Sequence, residues 1–343
     1  MPPEFRRDSV SGRWVIIAPG RQQRPHDIQA EHAVAGGRED CPFCPGHELM
    51  TPPEVLAYRP GGDGANTPGW DLRIVPNKFP ALVREIGTRA SDGQPGAPAF
   101  QASDRMHAIG AHEVIIETPD HDRPMATMSE AGVERFLRAC RERMLALRHD
   151  DRLKYILVFK NHGAAAGATL AHPHAQIIAL PMVPLVVQQE IDGARAHFAA
   201  NGRCVFCETI EQERRDGRRV IQEDADVIAI APYAPRFAFE TWLLPKRHTA
   251  RFEDASPDED RSMARLLTMV LQRLNAVLDT PPFNLVLHTS PLSDDIADVY
   301  HWHVEVLPAL TRAGGCEWGS GLHINPTPPE DAARALREIR LST

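Results

Sequence analysis

The chain has no long hydrophobic run. No window of its 343 residues approaches the ~18 to 20 apolar residues that cross a bilayer, and the opening Met1-Pro2-Pro3-Glu4-Phe5-Arg6-Arg7-Asp8 has no apolar core of the kind a secretory signal carries. A membrane protein and an exported one are both disfavoured, and the cytoplasm is the expected compartment. Positive charge is also in deficit. A formal net charge of −8 provides no cationic field for wrapping nucleic acid, so any phosphate must be met locally. Cysteine is scarce, with six in all, and four of these sit in CxxC pairs, which in a reducing compartment read as metal ligands before disulfides. Cys140 falls on the apolar stripe of a predicted helix and reads as packed. The 43% hydrophobic and 24% charged fractions are those of an ordinary globular protein.

What is present is one pattern written twice. Cys41-Pro42-Phe43-Cys44 is followed by His172-Pro173-His174, and Cys204-Val205-Phe206-Cys207 by His301-Trp302-His303. A true duplication should repeat the order of elements as well as the cysteines. After the first CxxC the pattern predicts strands at 72–75 and 113–117, a helix at 130–147, a strand at 155–160, and the His-Pro-His turn running into a strand at 176–180. After the second it predicts strands at 227–231 and 239–244, a helix at 257–278, and strands at 283–289 and 303–307. Both helices are amphipathic at the 3.6-residue period, through Val133, Phe136, Leu137, Cys140, Met144 and Leu147 in one and Leu266, Leu267, Val270, Leu271, Leu274 and Leu278 in the other. Ser129 caps the first, while Ser256, Pro257 and Glu259 make a capping-box start for the second. Segments 61–68 and 91–98, rich in glycine and proline, read as surface loops. A helix at 185–200 links the halves, 1–183 and 184–343. Strands in runs with one long helix per half give an α+β class with mainly antiparallel sheets, the two half-sheets free to pair edge to edge.

Zinc takes four ligands from cysteine sulfur and histidine nitrogen, and each CxxC supplies two. In the first half spacing does not choose between His112 and His121, but the repeat does: EVIIETPDH, ending at His121, matches ETWLLPKRH, ending at His248, in length. The expected sets are Cys41, Cys44, His121 and His172 for one zinc and Cys204, Cys207, His248 and His301 for the other. Reduced core pairs, or one ribbon-type site built from all four cysteines, are the alternatives. With four protein ligands apiece the zincs would be structural.

Around a tight turn leading into a strand, alternate side chains point to opposite sides, so while His172 faces a metal His174 can face a pocket. Upstream, the small residues between Asn161 and Thr169, Gly167 among them, would let backbone amides approach an anion, with the Thr169 hydroxyl added. A neutral imidazole beside such a cradle can attack phosphorus and hold the transferred group covalently. Gln176 would share its side of the strand. A lone histidine is more often structural; here the loop, the adjacent metal set and the glutamine favour His174 as nucleophile. His303 and Glu305 match it in the second half, but the acidic loop before them, with Asp294 and Asp295, suits phosphate poorly.

These residues resemble the galactose-1-phosphate uridylyltransferase family of the histidine-triad superfamily over nearly the whole chain, through RRDSVSGRWVIIAPGRQQRP, CPFC, NKFPAL, PDH, FKNHGAAAGATLAHPHAQ, FETWLLPKRH and HWHVEVLP. The resemblance implies a half-barrel of two histidine-triad-like halves with helices outside, assembled as a homodimer. It also implies ping-pong nucleotidyl transfer in galactose metabolism, from a sugar nucleotide to a hexose 1-phosphate through a nucleotidyl-histidine. Arg21 and Arg24 become expected phosphate contacts, and Asn77, Asn161, Thr169 and Gln176 pocket residues. HPHAQ in place of HPHGQ, Lys160 in place of the usual glutamate, the segment from Gly314 to Gly321, and the second CxxC look closer to the ADP-glucose phosphorylase type. The leading expectation is a uridylyltransferase using UDP-glucose; an ADP-glucose phosphorylase or adenylyltransferase, a histidine-triad nucleotide hydrolase and a non-catalytic zinc scaffold are the competitors.

Overall fold

The structure, a computed structural model, describes residues 2–23, 37–60, 64–85, 106–292 and 295–341. Arg24 and the loop at 91–98 lie outside the described residues. The chain opens on a hairpin, β1 (Glu4–Arg7) and β2 (Trp14–Ile17), whose turn is built on Asp8: its carboxylate accepts the amides of Val10 and Ser11, both at 2.8 Å. The first half then forms β3 (Leu56–Tyr58), β4 (Leu72–Pro76), β5 (Ala111–Ile116), α1 (Glu130–Leu147), β6 (Tyr155–His162) and β7 (His174–Leu180). Helices α2 (Leu185–Asn201) and α3 (Val205–Asp216) lead into β8 (Val220–Glu223), β9 (Val227–Ile230), β10 (Thr241–Pro245), α4 (Pro257–Leu278), β11 (Phe283–His288) and β12 (His303–Pro308). The chain ends with α5 (Gly315–Ser320), β13 (His323–Asn325) and α6 (Pro329–Glu338).

Ten strands make one antiparallel sheet in the order β3-β4-β5-β7-β6-β11-β12-β10-β9-β8. Read outward from its centre, each half repeats the same arrangement, and the halves join where β6 pairs antiparallel with β11, from His162 opposite Phe283 to Val158 opposite Leu287. The edge-to-edge joint expected from the repeat is thus a continuous ladder, which leaves neither half with an open central edge. Both faces of the sheet are covered. On one, the stripes of α1 and α4 bury Phe136, Leu137, Met144, Leu267, Val270 and Leu271 with Val158, Ile177 and Leu287 in a single core. On the other, α2 and α3 bury Ile191, Phe206 and Ile210 against Ile228, Ile230 and Leu244. Successive strand residues therefore enter different cores, which is why β9 reads as an unbroken apolar run and not as an alternation.

The two long helices occupy the predicted spans because their ends are chemically marked. Ser129 accepts the Gly132 amide at 3.2 Å, and Ser256 and Glu259 exchange a reciprocal pair of bonds, at 3.2 and 2.6 Å, ahead of α4. The strand expected at 239–244 starts two residues later, since Phe239 adopts φ 62° and leaves extended conformation. Helix α3 and the small sheet of β1, β2 and β13, in which β13 joins β2 in parallel, carry no periodicity long enough to announce them. The hairpin turn lies so close on α2 that a Cβ at Gly193 would come within 1.7 Å of the Val10 carbonyl oxygen, so only glycine fits there. Among the described residues no helix is long and apolar enough to cross a membrane.

Candidate active site

The first CxxC forms a tight turn in which the Cys44 amide donates to the Cys41 carbonyl at 3.2 Å, turning both sulfurs inward. Two histidines reach them from different loops. His121 Nδ1 lies 3.3 Å from Cys44 Sγ, and His172 Nδ1 lies 3.7 Å from Cys41 Sγ and 3.6 Å from Cys44 Sγ. The second CxxC sits at the start of α3, with Cys207 Sγ 3.2 Å from His248 Nδ1 and 3.7 Å from His301 Nδ1. In each set the four ligand atoms lie within 4.8 Å of one another. A tetrahedral ion bonded at about 2.3 Å to sulfur and about 2.0 Å to nitrogen holds those atoms about 3.5 Å apart, which both sets match.

The far sides of the rings support the same reading. His172 donates through Nε2 to the Thr118 carbonyl at 2.8 Å, His248 to that of Ala297 at 2.7 Å, and His301 to that of Pro245 at 2.8 Å. A carbonyl accepts only, so the proton is fixed on Nε2 and the Nδ1 lone pair is aimed at the sulfurs. Burial and the neighbouring Cys41 push the Cys44 thiol up to about 11. A cation between the sulfurs would reverse that preference, because thiolates are what such an ion binds. The eight residues expected as ligands are therefore gathered into two groups, each of which could hold a metal ion.

His174, first residue of β7, lies on the other side of the turn from His172 and is buried. Its Nδ1 donates to the His172 carbonyl at 2.8 Å, which leaves Nε2 unprotonated. Burial, with help from Lys160, lowers its pKa to about 4. The ring lines a cavity of about 470 Å³ with Gln176, Thr169, Asn77, Lys78 and Phe79. Gln176 is itself oriented: Ala81 donates its amide to His112 Nδ1 at 3.1 Å, so His112 Nε2 carries the proton and donates to Gln176 Oε1 at 2.7 Å. That leaves the amide nitrogen of Gln176 as the donor for a ligand. His112, the other histidine on the same stretch, stands behind Gln176 and takes no part in the cysteine cluster. Only its alternate spacing to Val114, which lines the cavity, hints at this in sequence.

Other expected contacts are placed differently. Asn161 and Gly167 hold each other, Nδ2 donating to the Gly167 carbonyl at 3.4 Å, and Asn284 donates to Asn161 Oδ1 at 2.8 Å; neither Asn161 nor Gly167 lines the cavity. The amides of Ala166 and Ala168 donate to Gly163, and that of Gly167 to Ala164, at 2.9 to 3.1 Å. The small-residue run thus closes on itself as a 3-10 turn, and these amides are not the open anion cradle expected of them. Arg21 is exposed on the turn Pro19–Gln23 and is not part of the cavity wall.

The second half keeps the geometry and loses the opening. His303 Nδ1 donates to the His301 carbonyl at 3.0 Å, yet the ring is stacked on His288 with centroids 4.6 Å apart and is hemmed in by Phe206 and Trp242. Glu305 stands where Gln176 would and is paired with Arg236, and the cavity beside it is only about 10 Å³. Glu190, His288 and His303 form a third group of ligand-type atoms within 4.8 Å, unforeseen because its members lie far apart in sequence. Here ion pairing governs. Burial works to lower the His288 pKa, but Glu190 and Glu305, 3.1 and 3.3 Å from its two nitrogens, outweigh it and raise it to about 10.

A raised histidine pKa stabilises the fold fully below the ordinary 6.5 and progressively less as pH climbs to about 10. The melting-temperature deficit of His288→Gln is therefore expected to be largest below pH 6.5 and to shrink as the pH rises from there to about 10. A deficit that does not change with pH would show that His288 is not held charged.

Residues 2–184 match the family described as "Galactose-1-phosphate uridyl transferase, N-terminal domain", and residues 190–314 match its C-terminal domain. The chain is 35% identical to the ADP-glucose phosphorylase of Arabidopsis thaliana, covering 99% of this chain and 94% of that protein. It is 28% identical to the galactose-1-phosphate uridylyltransferase of Thermotoga maritima, covering 98% and 99%. Among solved structures, the Arabidopsis thaliana ADP-glucose phosphorylase with bound ADP-glucose superposes over the full length of both chains at a TM-score of 0.85 and 34% identity. A uridylyltransferase structure follows at 0.73 and 27%, covering 97% of each chain.

Proposed function

The chain belongs to the galactose-1-phosphate uridyl transferase family, and from that premise we propose that it is a nucleotidyltransferase whose nucleophile is His174. The observation that carries the reading is the Nδ1 bond to the His172 carbonyl, which points an unprotonated Nε2 into the cavity. Nε2 attacks the α-phosphorus of a sugar nucleotide as the bond to the hexose phosphate oxygen breaks. The departing hexose 1-phosphate takes the electron pair as a phosphate anion and needs no proton at neutral pH. The positive charge left on the substituted imidazole is shared with the Nδ1–H bond to His172. The Gln176 amide and the Thr169 hydroxyl, both on residues that line the cavity, would donate to the oxygens of the transferred group. A phosphate oxygen of the acceptor then attacks the same phosphorus, and neutral imidazole leaves.

In the uridylyltransferase reading the donor is UDP-glucose and the acceptor a hexose 1-phosphate. The adenylyl reading, ADP-glucose with inorganic phosphate as acceptor, is favoured by the higher identity to the Arabidopsis protein, 35% against 28%. Zinc fits both Cys2His2 donor sets, and with four protein ligands it would supply structure, holding the turns that carry His172 and His301. Metal analysis is expected to find two zincs per chain, and one in Cys204→Ser. A metal-free folded protein would contradict the assignment.

The decisive variant is His174→Asn. Brief mixing with UDP-glucose or ADP-glucose, without acceptor, should add a nucleotidyl mass to the wild-type chain and none to the variant, with fold and zinc retained. Which nucleotide is added identifies the donor. No adduct with either, from zinc-loaded protein, would overturn the covalent mechanism.

A further inference from the structure

On the face of β6 turned toward α1, Ile156 and Val158 enter the apolar core, and the next residue in the row is Lys160, only 1% exposed. On β5 the same row contains Ile115, and Glu117, one residue past the strand end, continues it with no exposure at all. Strand β7 lies between them, with His174 opposite Ile116. Behind it the two charges meet, Lys160 Nζ donating to Glu117 Oε1 at 2.8 Å and to the carbonyl of His174 at 3.1 Å. Pairing of β6 with β7 ends at Phe159 opposite Gln176, so this carbonyl lies beyond the ladder and is held by the ammonium where a strand amide would have served.

An ion pair taken wholly out of water is seldom a net source of stability, and apolar residues of similar volume would pack in its place. The second carboxylate oxygen of Glu117 finds no partner among the described residues, which adds to the cost. What the pair does supply is a fixed hold on the main chain of the residue whose ring faces the cavity on the opposite side of the sheet. His174 is then gripped twice, at Nδ1 by the His172 carbonyl and at its own carbonyl by Lys160.

We propose that Lys160, aimed by Glu117, is a positioning residue that pins the backbone of His174 from behind the sheet and keeps Nε2 aligned with the reacting phosphorus. This rests on the reading of His174 as nucleophile. A misplacement of about 1 Å at a reacting group can slow a step about 100-fold, so a backbone clamp can matter without touching substrate.

The test uses the full-length zinc-loaded chain with Lys160→Met, Lys160→Arg and the double variant Glu117→Leu/Lys160→Met, which removes both charges together. Rapid-quench adduct formation with UDP-glucose and ADP-glucose should slow ~10- to 100-fold in the double variant, with donor half-saturation and melting temperature maintained, and recover in part in Lys160→Arg. The Nδ1 proton resonance of His174, sharp in the wild type, should broaden through exchange in the double variant. A folded double variant with the wild-type rate overturns the proposal, as does one that cannot fold, since the pair would then be structural. If the wild type itself forms no adduct, the nucleophile reading fails; the NMR comparison still decides the clamp, and an unchanged resonance overturns it.

Discussion

One hydrogen bond organises the site, from His174 Nδ1 to the carbonyl of His172. It is strong in consequence because His172 is itself fixed at both ring nitrogens, Nε2 by Thr118 and Nδ1 beside the Cys41 and Cys44 sulfurs. The cysteine cluster, the turn and the tautomer of the cavity-facing imidazole thus form one chain of constraints, each link being a geometry with a single protonation solution. Pro173 between the two histidines fixes φ and stiffens the connection. Loosening any link would let the imidazole carry its proton on the wrong nitrogen, where it could donate to phosphate but not attack it.

The duplication clarifies which features are architecture and which are chemistry. Both halves repeat the strand order, the Cys2His2 cluster and the bond from the second histidine of the doublet to the first. They differ in what surrounds that histidine. In the first half Gln176, neutral and oriented by His112, faces an open cavity; in the second Glu305 draws in Arg236 and His288, and aromatic rings close over His303. A carboxylate in the glutamine's place would repel a phosphate, and burying it requires cations that fill the space. The second site is sealed by the charges that neutralise it.

Much of this architecture is legible in the amino-acid sequence. The spans of α1 and α4 follow from a sustained 3.6-residue stripe bounded by serine caps, the most physically determined signal in the chain. The choice of His121 over His112 comes from the repeat, and the two rings indeed lie in different places. Short elements are not legible: β1, β2 and β13 owe their existence to pairing with distant segments, which periodicity does not record. The loop from Gly163 to Gly167 reads as open, and is not, because small residues permit both an anion cradle and a self-closed 3-10 turn. Lys160 and Glu117 occupy core-facing positions that a binary pattern assigns to apolar residues, so their meeting behind His174 emerges only in three dimensions.

The stereochemical course at phosphorus bears most directly on His174 as a covalent relay. With a donor made chiral at the α-phosphorus by sulfur substitution, transfer through the histidine inverts that centre twice and the product should retain its configuration. Net inversion would mean a single direct displacement between donor and acceptor, and would contradict the account.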